Sequence, residues 1–459
     1  MATSQTMDGY VHESRESIGN AAVNWMARCR NRLKSTGAKF IRANSPRAGA
    51  LPTSIDPKRS DWRTRVCMAP SRLVVSSSSD VAMRSALSLA SGRRASSARC
   101  SMLAALTLSA MSAFGQGERA VIVGMTTSLT GPNAPYGVGL LHGVRLGLAE
   151  AMPSGVELKV LDDGGDPQRA ASNVQSLIDA GAVAITGVHG AGPAEAIRSL
   201  LARTGVPLVG VASSADTLRN PPQREIFNLR AGVGDEVDAI VLHLDTLGID
   251  QVSALAEGDA LGSSGLEGLK FQLTRLAIRP LTLESLPLTP SAGALNAAMR
   301  RICAASPQAV LLAVQAQQAV EAMRIAPEVG CTHTRFVAVS ETGAALALGG
   351  QKTGRLVVSQ VLPFPSQIRH PLAAAYMHEL GSDTKHATYP SIEGYLYGRV
   401  LGEVVKVCGR HATSSCIVET LETRPPTVGG WRLHFGPNER RGARYVDLTL
   451  IEEDGHLAR

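Results

Sequence analysis

From Ala120 onward, short apolar runs alternate with amphipathic stretches almost without interruption. Val121–Met125, Glu157–Leu161, Val183–Thr186 and Pro207–Val211 have the length and apolar content of short buried strands. Between them, Val138–Ala151, Pro167–Ala180 and Gly192–Thr204 carry apolar residues at helical spacing. Asp166 stands before Pro167 as an N-cap before a first-turn proline, and Gly181 and Gly205 stand where helices stop. A second series follows: helices over Glu236–Leu247, Leu261–Leu276, Ala292–Ala304 and Ala319–Val329, with strands at Val252–Ala256, Ala309–Val314 and Phe336–Val339. Repeated strand–helix units imply parallel sheets covered by helices on both faces.

Two such series, meeting near Gly234, predict an α/β chain of two Rossmann-like lobes with parallel sheets. Val357–Pro365 reads as a strand and a crossover whose prolines limit its freedom. The helix Ile392–Val407 is expected to return to the first lobe, and a hairpin-like pair, Gly430–Phe435 and Tyr445–Ile451, to finish against the second. Lobe 1 is thus expected over residues 117–234 and 363–425, and lobe 2 over 235–362 and 426–459.

Charge changes the picture once it is located. The 459 residues carry 46 Lys+Arg and 39 Asp+Glu, a formal net of +7. Seventeen of the basic and six of the acidic residues precede Gln116, leaving 29 basic against 33 acidic in the remainder. The basicity belongs to the leader, so a nucleic-acid partner is not expected. Met83–Cys100 reads as a basic n-region, Ser101–Ala113 as an apolar h-region, and Ala113-Phe114-Gly115 as a small-x-small cleavage site before Gln116. Residues 83–115 are therefore expected to be an export signal, placing the product in the periplasm. That apolar run is too short for a membrane span of about 20 residues. Cys100 precedes it, the wrong order for a lipid anchor. Residues 1–82, Arg- and Ser-rich and without clear periodicity, read as an extension ahead of a start at Met83, or as a disordered tail.

Of seven cysteines, Cys303, Cys331, Cys408 and Cys416 follow Gln116. Cys303 and Cys331 each end a predicted helix ahead of a predicted strand, and Cys408 and Cys416 straddle a helix–helix turn. Export permits disulfides, but neither pairing nor four free thiols is fixed by sequence.

The candidate chemistry lies in VIVGMTTSLTGPNAPYGVG (Val121–Gly139) and in the DDGGDP behind it. A strand ends there in a loop, Thr126–Tyr136, that offers hydroxyls, backbone amides and an aromatic ring. In a doubly wound sheet, small ligands sit at the carboxyl ends of strands. The loop has no nucleophile–base pair and no metal-ligand spacing; this is chemistry for holding a ligand. No Gly-x-Ser-x-Gly elbow or phosphate loop occurs, which disfavours an α/β enzyme. Gly137-x-Gly139-x-x-x-Gly143 is explained better by close helix packing than by a dinucleotide loop. His370, His378 and His386, spaced by eight, do not share one helix face, so no metal is expected from them. Asp162 and Asp163 read as loop-shaping residues. Ser213 and Ser214, after the strand Pro207–Val211, offer hydroxyls and amides to an anion at a helix start, or a plain N-cap.

SLTGPNAPYG, LDDGGDPQRAASNVQSLIDAGAVAITG, GVPLVGVASSADTLR, VSETG and YPSIEGYLYGRVL, in this order, make the chain similar to the periplasmic substrate-binding proteins of branched-chain amino acid (leucine/isoleucine/valine) ABC transporters. The resemblance spans about Ala120 to the end. It implies the type I periplasmic binding fold, two lobes joined by three crossovers with the ligand between them. It implies a small amino acid or carboxylate ligand and an inner-membrane ABC permease as partner. A monomer is expected, with no cofactor and no catalysis. It places ligand contacts at Ser213 and Ser214, and at the loop His189-Gly190-Ala191, where a contact would come from backbone or from His189. It places a cleft-facing aromatic at Tyr136 and an acceptor for an α-ammonium at Glu341, which could otherwise be a capping residue. Where relatives have an aromatic in the second lobe, this chain has Leu261 in Asp259-Ala260-Leu261-Gly262. Where they have a tyrosine-rich strand end, it has Gln315, suited to a more polar ligand. Some relatives join two loops by a disulfide at positions that are Gly165 and Gly190 here. The rival readings are a ligand-sensing regulator of the same fold and a binder of amine-free aromatic or organic acids.

Overall fold

The computed structural model describes residues 120–151, 155–348, 356–452 and 457–458. The expected extension, export signal and cleavage site, over residues 1–115, lie outside the described residues. The first lobe is built on β1 (Val121–Thr127), buried along its whole length and paired in parallel with β2 (Val156–Asp162) and β3 (Ala182–Thr186). A strand covered on both faces reads as an unbroken apolar run, which is why VIVGM announces it. Between them lie α1 (Ala134–Ala151) and α2 (Pro167–Asp179). The Asp166 carboxylate accepts from the Arg169 amide at 2.7 Å and caps α2, which buries Ala170, Val174 and Leu177.

The short β4 (Val188–His189) leads into α3 (Ala191–Thr204), then β5 (Leu208–Val209), β6 (Val211–Ala212) and β7 (Ile226–Phe227). The sheet order is β2-β1-β3-β5-β7, with β4 and β6 pairing separately in parallel. The predicted strand Pro207–Val211 is thus broken at Gly210. Its φ is +79°, and a Cβ there would lie 2.5 Å from the Tyr397 ring, so the interruption makes room for that tyrosine.

The chain then enters lobe 2 through α4 (Val233–Thr246), β8 (Val252–Glu257), α5 (Ala260–Arg275), β9 (Leu283–Leu286), α6 (Ala292–Ala304), β10 (Ala309–Ala313) and α7 (Ala316–Ile325). It continues with β11 (Arg335–Ala338), α8 (Ser340–Leu348) and β12 (Leu356–Gln360). It returns to lobe 1 as α9 (Pro371–Leu380), α10 (Tyr389–Cys408) and α11 (Ser414–Thr423), and ends in β13 (Asp447–Ile451) and β14 (Leu457–Ala458). The second sheet runs β14-β13-β12-β11-β10-β8-β9, parallel from β9 to β12 and antiparallel at β13 and β14. These are two α/β lobes with parallel sheets and helical crossovers, the predicted class.

Helices α1 and α10 meet backbone to backbone. A Cβ on Gly143 would lie 1.9 Å from the Ser391 carbonyl oxygen, and one on Gly394 2.0 Å from that of Leu140. Glycine at these positions is what lets the helices close, the packing role expected of the Gly137–Gly143 spacing.

The strand β9 and the helix α9 add to the expected elements, whereas α11 is the second helix of the turn expected between Cys408 and Cys416. Gly430–Phe435 is not a strand: Trp431 and Leu433 turn inward and Arg432 and His434 outward, the predicted alternation, but only isolated bridges form. Trp431 and Leu433 join the lobe 1 core, and Trp431 Nε1 donates to the Leu229 carbonyl at 3.2 Å. The four cysteines among the described residues are paired, Cys303 with Cys331 and Cys408 with Cys416. Among the described residues, no helix is long and apolar enough to cross a membrane.

Candidate ligand cleft

The loop after β1 holds its donors for itself. Asp163 accepts from Thr126 Oγ1 at 2.9 Å and Ser128 Oγ at 3.2 Å. Asp162 accepts from the amides of Leu129 and Thr130 and from Thr130 Oγ1 at 2.6 Å. The Thr130 hydroxyl and these amides hold the Asp162 carboxyl below its usual range, while burial raises Asp163. The hydroxyls of Thr126, Ser128 and Thr130 are thus spent in shaping the turn, while the buried Thr127 Oγ1 has no hydrogen-bond partner among the described residues.

Tyr136 opens onto a buried polar cluster. Its ring stacks on His189 with centroids 4.1 Å apart and planes 6° apart, and its hydroxyl donates to Glu393 Oε2 at 2.5 Å. Arg230 donates through Nη1 to both Glu393 oxygens at 3.1 and 3.3 Å, and Tyr397 donates to the same carboxylate. Arg230 and Glu393 are 1% and 2% exposed. The Glu393 carboxylate is thus fully paired in the interior, as a buried charge requires, while Arg230 Nε has no partner among the described residues. Desolvation pushes the His189 pKa down to about 4, so its ring is neutral at physiological pH, and its buried Nδ1 has no hydrogen-bond partner among the described residues.

From this cluster the second Arg230 nitrogen, Nη2, reaches toward lobe 2. It bonds Ser214 Oγ, lies 3.3 Å from Ser340 Oγ, and is 3.7 Å from Glu341 Oε1. The Ser214 amide donates to the same Glu341 oxygen. An amide and a guanidinium thus converge on one carboxylate, at the place where the sequence put an anion site. Here the carboxylate is the protein's own. Glu341 lies in the first turn of α8. Burial pushes its pKa up to about 7 against the opposing pull of Arg230 and the Ser214 amide. Beneath it the fully buried Glu236 accepts from the Ser340 amide and Ser359 Oγ, each at 2.6 Å, and from Ser214 Oγ. Ala344 of α8 packs into the lobe 1 core, and one apolar cluster runs from α3 to α5, so the lobes are closed on one another.

The other sequence candidates divide. Ser213 is fully buried; its hydroxyl accepts weakly from the Ala215 amide at 3.3 Å and its carbonyl accepts from Arg219 at 2.9 Å, so it shapes the loop. Gly190 caps α3 with φ +88° and donates to the Ala212 carbonyl, and Ala191 begins the helix, where Pro193 removes one donor. Leu261 is buried in the first turn of α5, after the Asp259 cap. Gln315 donates to Glu257 Oε1 at 3.1 Å, and burial, with Asp259 nearby, pushes the Glu257 pKa up to about 7. Tyr136, His189, Ser214 and Glu341 therefore meet in one network; Ser213, Gly190 and Ala191 shape the adjoining loops, and Leu261 and Gln315 make no hydrogen-bonded contact with the network among the described residues. Arg230 and Glu393, its central pair, were not picked out. The signal available was a single charge inside an apolar run, in NLRAG and in SIEGYLYG.

Two α/β lobes with parallel sheets and helical crossovers meet at a buried polar network, the architecture of the periplasmic binding fold. The chain belongs to the periplasmic binding protein family, whose profile matches residues 120–455. This family binds and does not catalyse, and the protein is not an enzyme. Among solved structures, the chain is similar to a possible leucine/isoleucine/valine-binding protein from Rhodopirellula baltica SH 1, at 25% identity and TM-score 0.65, covering 73% of this chain and 95% of that one. It is similar to an extracellular ligand-binding receptor from Verminephrobacter eiseniae EF01-2, at 22% identity and TM-score 0.64, covering 74% and 100%. It also matches a leucine binding protein from Thermotoga maritima MSB8, at 16% identity and TM-score 0.65, covering 74% and 97%. No curated protein matches the chain significantly.

Proposed function

We propose that the protein is the periplasmic solute receptor of an ABC importer, delivering a small amino acid-like carboxylate to an inner-membrane permease. The observation that carries this reading is the convergence of the Ser214 amide and the Arg230 guanidinium on one carboxylate oxygen. In the liganded protein the solute's carboxylate takes that position, and Glu341, displaced, accepts the solute's ammonium group, a charge-assisted pairing. Tyr136 and His189 wall one side, with His189 Nδ1 available as a further contact; Leu261 and Gln315 face the side chain from lobe 2. Lobe opening and closure about the crossovers admits and retains the solute.

The test is calorimetry and thermal shift on the exported protein with three matched series: aliphatic amino acids, the corresponding amines, and the corresponding amine-free acids. Stabilisation by the amino acids alone, weakened in Glu341→Gln, supports the proposal. Binding by amines but not by acids overturns the carboxylate site. Binding confined to amine-free acids, unaffected by Glu341→Gln, removes the ammonium role and favours the organic-acid reading.

A further inference from the structure

On lobe 1, away from the cleft, two histidines and an aspartate distant in sequence share a single focus. His142 stands on α1, six residues beyond Tyr136, so about 9 Å farther along the axis and turned by about 240°. Opposite it, Asp383 caps the one-turn 3₁₀ helix Thr384–His386. In that geometry residues i and i+3 eclipse, which brings Asp383 and His386 together. His386 Nδ1 lies 2.6 Å and His142 Nε2 3.5 Å from the same oxygen, Asp383 Oδ2. The two imidazoles stack with centroids 4.6 Å apart. All three donor atoms lie within 4.8 Å of one another, and the side chains are 31–42% exposed.

We propose that His142, Asp383 and His386 form a binding site for one divalent transition cation of the zinc class, with water completing the coordination. Two imidazoles and one carboxylate are a three-ligand set that leaves a fourth position open. Ligands at about 2.0–2.1 Å in tetrahedral array stand about 3.3 Å apart. The His142–Asp383 distance is already there, and the His386–Asp383 pair need only separate slightly. The outer contacts also fit. Ser391 Oγ lies 3.1 Å from His142 Nδ1, so a proton on that nitrogen fixes the tautomer that turns the Nε2 lone pair toward Asp383. Tyr376 donates to the His386 carbonyl at 2.8 Å and anchors the turn from below. Of the nearby cations, Lys385 Nζ is 4.0 Å from the outer Asp383 oxygen and 77% exposed, free to withdraw. The bound ion would join α1 to the segment that leads into α10, an architectural role independent of what the cleft holds.

Zn²⁺ alone is the probe. Protein purified after export without an affinity tag and stripped with a chelator is titrated by calorimetry and followed by thermal unfolding. One equivalent of Zn²⁺ should bind and raise the Tm. His142→Ala and Asp383→Asn should each weaken binding by at least about tenfold, and His378→Ala, which alters an exposed histidine paired with Glu379, should leave it unchanged. Co²⁺ should give the visible bands of a tetrahedral site in the unaltered protein, a readout that needs no variant to fold. Absence of saturable binding, unchanged affinity in His142→Ala and Asp383→Asn, or an octahedral Co²⁺ spectrum overturns the site.

Discussion

Replacing Arg230 by Met leaves a hole in the charge balance of lobe 1 and not in its volume. The guanidinium is 1% exposed and bonds Glu393, Tyr136, Ser214 and Ser340. Without it Glu393 stays buried with two tyrosine hydroxyls, and Glu341 loses the cation it is paired with. Breaking a buried ion pair from one side costs about 3–5 kcal/mol, because a desolvated charge is left uncompensated. For a lobe-sized unit, at about 2–4 °C per kcal/mol, that is a Tm loss of roughly 6–20 °C. Calorimetric unfolding of Arg230→Met, Glu393→Gln and the double variant measures it. The double variant should recover part of the loss, since removing both partners leaves no orphan charge. A single variant that costs under about 1 kcal/mol, or a double variant that costs the full sum of the two, would refute the reasoning.

Other outcomes follow from the same contacts. Glu341 and Glu257, both pushed up to about 7 by burial, bind protons in the folded state that the unfolded chain releases near its carboxylate pKa of about 4.3. Stability from these groups is therefore fully present below about pH 4.3 and lost as pH rises through about 7; urea midpoints across that window should fall, and less steeply in Glu341→Gln. Reducing Cys303–Cys331, 28 residues apart, should cost about 3–4 kcal/mol on the loop-entropy account, and Cys408–Cys416, eight apart, about 2–3 kcal/mol, read from denaturation of the matched serine variants. Gly143→Ala should destabilise by roughly 1–3 kcal/mol or more through collision with the Ser391 carbonyl, visible as a lowered Tm with an unchanged circular dichroism spectrum.

The alternation of strands and helices was legible because each buried parallel strand is a short apolar run and each helix has marked ends, such as Asp166 with Pro167 and Gly205. β9 escaped because Leu283-Glu284-Ser285-Leu286 lies at a sheet edge, where polar residues are tolerated. Trp431–Phe435 misled for the opposite reason: its inside–outside alternation is real, but it packs as an extended segment with no continuous partner strand. The cleft was half legible. Tyr136, His189, Ser214 and Glu341 lie at strand ends or helix starts, where ligand chemistry is looked for. Arg230 and Glu393 escaped because their pairing spans 163 residues, and no local pattern shows that two lone charges will be buried against each other. The donors of Thr126, Ser128 and Thr130 were overvalued, since sequence does not tell that Asp162 and Asp163 turn back on them.

The glycine contact between α1 and α10 decides how the cleft can change over time. With carbonyls pressed where side chains would be, the helix bearing Tyr136 and the helix bearing Glu393 cannot slide or rotate independently. On the proposed function, their half of the ligand seat is a fixed template, and little conformational entropy is left to lose on that side when a solute arrives. On the same proposal, accommodation of a new solute falls to the facing lobe, where Leu261, Gln315 and Glu341 stand near the starts of helices and can be exchanged without dismantling a packed seam. A receptor built this way diverges in specificity through one lip of its cleft while the other stays constant.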